Sequence, residues 1–331
     1  MNTTLKKVTE LLPAFCKANI VPFIHSSPAL GKSSTVKAFA KQFNLKVIDL
    51  RLTEMDATDI QGLPYFTDDG FSEFKPFNTF PLENTPIPTG YKGWCLILDE
   101  FNSALPSVQA ACYKLVLDRM VGQHHLHKKC FIVACGNLET DNAIVHTMSS
   151  ALISRFAHFT VEVNADEWTE WAIANGIDNR IISYIGFKPM ALYTFNPDAT
   201  DPYSSPRTWS MANELLKHTD DLTALASVIG LGVASEFKQY TKLYNELPKL
   251  NDIINNPEQS IPSDLGTQWA VIGYVASNVN KTNAKQLSKY LQQFPMDLQI
   301  VAMKIIKQTD VSLLINDMSD WFEKVRKSLY E

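Results

Sequence analysis

The sequence predicts an α/β fold, a doubly wound parallel sheet followed by an all-helical region. Three observations predict it. Apolar strand-like runs alternate with helical patterns as far as about residue 163. One run, Trp94-Cys95-Leu96-Ile97-Leu98, is continuous, as suits a strand buried on both faces of a parallel sheet. After Asp166 the pattern is helical almost to the end.

The elements follow in order. A helix over 5–17 leads into a strand over 21–24, a helix over 35–42 and a strand over 46–50. A strand over 94–98 is followed by a helix over 105–117, a strand over 130–135, a short helix over 149–153 and a strand over 158–163. These five strands with helical crossovers imply a parallel sheet between helices. The second half offers helices over 167–175, 180–186, 207–218, 222–243, 268–279, 284–293, 298–307 and 311–329, interrupted by a turn-rich stretch over 195–206. Residues 1–165 thus form one expected domain and 166–331 a second. The segment 53–92 is too long for a structureless loop in a compact domain. It offers a short helix over 56–60 and an Asp69-Gly70 hairpin flanked by Tyr65, Phe66, Phe71 and Phe74. That insertion reads equally as a surface for handling a substrate or as a decorated sheet edge.

Composition excludes several classes. At 331 residues the chain suits two domains with ample core. A hydrophobic content of 45% with 20% charged residues describes a globular protein and not a disordered one. The net charge of −5 supplies no overall electrostatic footprint for nucleic acid. No run approaches the length of a membrane span, and the N-terminus lacks the apolar core of a signal peptide. The cysteines 16, 95, 112, 130 and 135 are odd in number and lie mostly in apolar segments. They read as buried free thiols in a reducing cytosol, and a cytoplasmic protein is expected.

Two segments carry chemistry. In Ser27-Pro28-Ala29-Leu30-Gly31-Lys32-Ser33-Ser34 a loop enters a helix. The helix N-terminus offers backbone N–H groups and a positive dipole end to phosphate. Lys32 adds a charge for the β- and γ-phosphates, and the Ser33 hydroxyl suits the Mg²⁺ shell. The phosphate-loop pattern wants glycine where Ser26 stands, for backbone freedom and close approach. Downstream, the apolar strand ends in Asp99-Glu100. Asp99 at the strand's carboxyl end would support Mg²⁺ beside Ser33, and Glu100 could polarise the attacking water. Together the segments imply ATP and Mg²⁺ as cofactors and ATP hydrolysis as the reaction.

Three further segments bear on family. Phe131-Ile132-Val133-Ala134-Cys135-Gly136-Asn137 is an apolar strand ending in an amide. Ala151-Leu152-Ile153-Ser154-Arg155-Phe156 precedes the fifth strand, and Ser205-Pro206-Arg207 opens a helix. In this order they resemble sensor 1, the arginine finger and sensor 2 of AAA+ ATPases. Asp59-Ile60-Gln61-Gly62, Phe74-Lys75-Pro76, Leu98-Asp99-Glu100-Phe101-Asn102 and Leu117-Asp118-Arg119-Met120, the last followed by a candidate hairpin over 121–129, are similar to the MoxR group. The resemblance covers roughly residues 10 to 220.

The resemblance implies a P-loop AAA+ core with a five-stranded sheet and an all-α lid. It makes Lys32 and Ser33 ligands of phosphate and magnesium, Asp99 a metal support, Glu100 the water activator and Asn137 its orienting group. Arg155 would act in trans on a neighbour's nucleotide, where such a finger is worth about 10³–10⁵ in rate, and Arg207 would touch the γ-phosphate in cis. It further implies a ring, usually a hexamer, that remodels a protein client in a chaperone-like manner, with a von Willebrand A domain protein as a common partner. One departure is Ser103, where MoxR relatives usually carry arginine.

Other readings stay open. A related AAA+ ATPase could act on nucleic acid as a replication or restriction translocase, with His127-Lys128-Lys129 contacting phosphates. The chain could instead hold ATP as a switch without turnover, or be a small P-loop kinase. His124-His125-Leu126-His127 lacks cysteine or carboxylate partners at ligand spacing and reads as a solvated hairpin. Trp168 and Trp171 read as packing residues.

Overall fold

A computed structural model describes residues 2–141 and 145–328. The chain divides into two compact units, one of Met1–Val163 with Asn196–Asp198 and one of Asn164–Phe195 with Ala199–Glu331.

The first unit is the expected parallel α/β layer. Its elements are β1 (Asn2–Thr3), α1 (Leu5–Ala18), β2 (Val21–Ser26), α2 (Lys32–Gln42), β3 (Leu45–Arg51), α3 (Ala57–Gln61), β4 (Leu63–Phe66), β5 (Ser72–Lys75), β6 (Gly93–Asp99), α4 (Pro106–Leu117), β7 (Met120–Val121), β8 (His124–His125), β9 (Cys130–Gly136), α5 (Ser150–Ile153) and β10 (Phe156–Val161). The main sheet has the order β1-β10-β2-β9-β6-β3, with every pair parallel. It has six strands where the sequence predicts five. The sixth is β1, whose two residues pair with Thr160 and Val161. Two polar residues carry no period, so the sequence leaves β1 invisible.

Side-chain alternation sends the sheet's apolar residues to both faces. Ile24, Cys95, Ile97, Val133 and Cys135 pack with Val8 and Leu12 of α1 and Val36 and Phe39 of α2. Phe23, Leu96, Leu98, Ile132 and Ala134 pack with Val108, Cys112 and Leu115 of α4 on the other face. Helices on both faces explain why β6 and β9 read as continuous apolar runs. Helix α2 begins at Lys32, three residues before the predicted start, because Gly31 forms its N-cap in the left-handed region at φ 95°.

Within the long insertion, Asp56 and Asp59 form a capping box that starts α3. The antiparallel β4–β5 pair is the predicted Asp-Gly hairpin, with Gly70 at φ 86°. Both strands lie largely in solvent, and Phe66 is 87% exposed.

The second unit is helical: α6 (Ala165–Ala174), α7 (Asn179–Phe187), α8 (Pro206–Leu216), α9 (Leu222–Ile229), α10 (Leu231–Glu246), α11 (Leu250–Asn255), α12 (Leu265–Ser277), α13 (Ala284–Leu291), α14 (Met296–Thr309), α15 (Val311–Asn316) and α16 (Ser319–Ser328). Its core gathers Trp168, Tyr184, Trp209, Phe237, Ile272, Leu287, Ile306 and Trp321. The single helix expected over 222–243 is two, broken at Gly230 with φ 83°. The last expected helix is also two, separated at Asp317–Met318, and its expected end at Leu329 lies outside the described residues. No described helix is long and apolar enough to cross a membrane.

Candidate functional site

Parallel pairing brings the carboxyl ends of β2, β6 and β9 to one edge of the sheet. Those ends lead into the three segments that the sequence singles out. From β2 the chain turns through Ser27, Pro28, Ala29 and Leu30 into α2. Ala29 and Gly31 both have positive φ, at 62° and 95°. The first helical N–H groups, of Lys32, Ser33 and Ser34, have no acceptor within the helix, whose bonds begin with Thr35 N–H to Gly31 C=O at 2.9 Å. The turn therefore aims amides and a dipole end at whatever sits over the loop.

Lys32 is 8% exposed, and its ammonium lies among oxygens. It donates to the Ser26 carbonyl at 2.9 Å, the Ser26 hydroxyl at 3.0 Å, the Ser27 carbonyl at 3.3 Å and Asn137 Oδ1 at 3.3 Å. Lys32 and Asn137, 105 residues apart, are thus in contact. Ser33 donates its hydroxyl hydrogen to Asp99 Oδ2 at 2.6 Å, so the loop and the end of β6 meet as the spacing implies. Beneath them burial pushes the Cys135 thiol up, and the Asp99 carboxylate adds to that shift.

Glu100 follows β6 in the left-handed region, with φ 56° and ψ 35°. Its N–H donates to Asp99 Oδ1 at 3.0 Å, and its carboxylate Oε2 accepts from the Thr53 hydroxyl at 2.5 Å. A non-glycine residue there is uncommon and costs about 1 kcal/mol. The turn sets the two adjacent carboxylates to different tasks, Asp99 on Ser33 and Glu100 on Thr53.

Asn137 is fixed by a second amide. The Asn102 side chain donates to the Asn137 carbonyl at 2.8 Å and accepts from its N–H at 3.1 Å. Gly136 makes this approach possible, since a Cβ there would lie 2.4 Å from Asn102 Oδ1 and 2.7 Å from the Phe23 ring. The supporting residues Ser26, Thr53, Asn102 and Asp141 are absent from the sequence-derived set. Asp141 accepts from the Ser27 hydroxyl at 3.2 Å. Only Asn102, within the Asp-Glu-Phe-Asn string, carried a local signal.

Ser26 is the last residue of β2, fully buried, and does not have positive φ. The left-handed turns fall later, at Ala29 and Gly31, so this loop does not use glycine's freedom at position 26.

Two predicted site residues remain, Arg155 and Arg207. Arg155 precedes β10 at the opposite edge of the sheet, where Phe156 pairs with Val21 and Val161 with Ser26. Five residue steps along β2 separate those edges, about 17 Å in a parallel strand. The guanidinium lies 5.0 Å from the centre of the Tyr113 ring and donates to the Ala151 carbonyl, while its buried Nε has no hydrogen-bond partner among the described residues. Arg207 is exposed in the first turn of α8, behind a Ser205 capping box, in the second unit.

The donor set fits a magnesium nucleotide. Ser33 and Asp99 present hard oxygens side by side, and Mg²⁺ is typically held by one or two protein oxygens plus phosphate and water. Among the described residues no group of three or more His, Cys, Asp or Glu could hold a metal by itself.

No known family profile matches the sequence, and no curated protein matches it. Solved structures share parts of its path at low similarity. One is a Cytophaga hutchinsonii protein described as a candidate ATPase, 14% identical over 92% of this chain and 81% of that one, with a TM-score of 0.37. Another is RuvB of Thermotoga maritima, a Holliday junction branch migration motor, 16% identical over 87% of this chain and 86% of that one, with a TM-score of 0.38. A point mutant of that RuvB is 15% identical over 87% and 85%, with a TM-score of 0.40. Likeness at this level leaves family and activity to be argued from the chain's own residues.

Proposed function

We propose that the protein is a magnesium-dependent ATPase of the AAA+ class, resembling the MoxR group, that works as a ring. The observation that carries this reading is the Ser33–Asp99 contact at 2.6 Å. It joins a phosphate loop to the acidic end of a buried strand, as a triphosphate site requires.

The chain's residues divide the work. The α2 amides and Lys32 hold the phosphates, Lys32 exchanging its present oxygens for those of the β- and γ-groups. Ser33 and Asp99 would hold the metal, which would supply charge neutralisation to the phosphates. Glu100 leaves Thr53 to orient the attacking water and take its proton. Asn137, clamped by Asn102, positions that water. The resemblance makes Arg155 an arginine finger acting on a neighbouring copy's nucleotide, and its place on the edge away from its own phosphate loop, farther than an arginine side chain extends, supports that reading. The role of Arg207 rests on the resemblance. So do a hexameric ring, a chaperone-like action on a protein client and a von Willebrand A domain partner. The exposed β4–β5 hairpin offers apolar side chains for such a client.

The test is ATP turnover as a function of protein concentration, with size measured in parallel. The expected outcome is specific activity that rises with assembly, and loss of at least about 10²-fold in both Glu100→Gln and Arg155→Ala. Glu100→Gln should still bind ATP and assemble. A flat rate per chain with an active Arg155→Ala would sink the ring mechanism. Stimulation by single- or double-stranded DNA would put nucleic acid in place of the protein client.

A further inference from the structure

The edge of the sheet opposite the phosphate loop holds a cavity of about 250 Å³. Its floor is Leu45, Cys130 and Phe131, at the starts of β3 and β9, with Cys16 at the end of α1 beside them. Its mouth is basic. Lys92 stands just before β6, and Lys128 and Lys129 just before β9, so parallel pairing sets the three side by side. All three are exposed, and none reaches a carboxylate among the described residues.

A fourth cation lies behind them. Arg119 is half-buried and donates to the carbonyl of Cys130, a residue of the cavity floor. Burial pushes its guanidinium down from its ordinary value, and no carboxylate among the described residues offsets that burial. It also holds a left-handed backbone conformation, at φ 55°. Three like charges around one hollow repel one another, and the chain has more acidic than basic residues, 35 against 30, with which to neutralise them. It does not do so here.

We propose that this cavity is a binding site for a small, multiply charged phosphate anion of the size of pyrophosphate or tripolyphosphate. Ligand pockets for drug-sized molecules run to about 300–1,000 Å³, so this one suits a compact group. Ammonium groups meet phosphate as point charges. The three lysines call for an anion bearing several charges, since a monocarboxylate would leave most of them unmatched. Of the nearby α1 carbonyls, those of Phe15 and Cys16 already accept from the N–H groups of Ile20 and Asn19. Six residue steps along β6 separate Gly93 from Asp99, about 20 Å, so the cavity is distinct from the ATP site and independent of how that site is read.

The experiment is calorimetric titration of the full chain with tripolyphosphate, in a Lys32→Ala background that disables the phosphate loop. The expected result is saturable one-to-one binding, weakened at least about tenfold by Lys128→Ala with Lys129→Ala and by Lys92→Ala, as befits lost charge-assisted contacts. Lys128→Arg with Lys129→Arg should retain it, which separates lost charge from lost fold. Absence of saturable heat, or binding indifferent to the lysines, overturns the proposal. Binding of single-stranded DNA through the same lysines, with none of tripolyphosphate, also overturns it and assigns the edge to a nucleic-acid backbone.

Discussion

Lys32 gives up most of its contact with water, and two of the oxygens to which it donates belong to Ser26. The Ser26 backbone carbonyl remains whatever side chain stands there. Because Ser26 sits in a strand without positive φ, Ser26→Gly should leave ATP affinity within about threefold and lower stability by about 1 kcal/mol, from the lost hydroxyl bond and added chain entropy. Equilibrium denaturation and an ATP titration check both; an affinity gain beyond tenfold would show that the loop wants glycine. His25, one residue earlier, lies against the Phe23 ring and shares a 2.9 Å hydrogen bond with His158. Burial first, then His158 and Lys32, push His25 down to about 4 from 6.5. A base with a depressed folded pKa is neutral in the fold while the unfolded chain takes up a proton. Stability is therefore full above pH 6.5 and falls between 6.5 and 4, by at most about 3 kcal/mol given partial solvent screening. Urea midpoints at pH 7.5 and 5 should show the fall, and His25→Asn should flatten it.

Gly230 illustrates how an element boundary is enforced. At φ 83° a Cβ would lie 2.5 Å from the Pro202 carbonyl oxygen. Gly230→Ala should thus cost about 2–3 kcal/mol, through strain and the close contact together. A midpoint unchanged in chemical denaturation would count against the break between α9 and α10. The β4–β5 hairpin makes the opposite case. Phe66 is so exposed that Phe66→Ser should change stability by no more than about 0.5 kcal/mol. If the hairpin handles a client, the same substitution lowers client-stimulated turnover while basal turnover stays as it was. The helix α2 reads from sequence as starting at 35, because apolar periodicity begins there. Its true start at Lys32 depends on Gly31, whose left-handed turn no periodicity reports.

At the scale of the molecule, the strand order β10-β2-β9-β6-β3 decides which side chains meet. It places the ends of β2, β9 and β6 side by side and so assembles Lys32, Ser33, Asp99 and Asn137. It also puts Arg155 and the lysine-rich cavity on the opposite edge. If Arg155 acts as proposed, ATP turnover depends on protein concentration, since a guanidinium on the far edge would serve another copy's site. Much of the site was legible in the sequence, because a phosphate loop and an apolar strand ending in acids are local patterns whose chemistry is carried by adjacent residues. The alternation of strands and helices, and the change to helix alone after the sheet, were legible for the same reason, as hydrophobic period reports burial one element at a time. The tertiary structure alone decided that Thr53 holds Glu100, that Asn102 clamps Asn137, that β1 extends the sheet and that Arg119 reaches Cys130 beside three lysines that meet no carboxylate among the described residues. Those pairs are joined across the sheet or between strand ends, and their meeting depends on strand order and register, which no local pattern encodes.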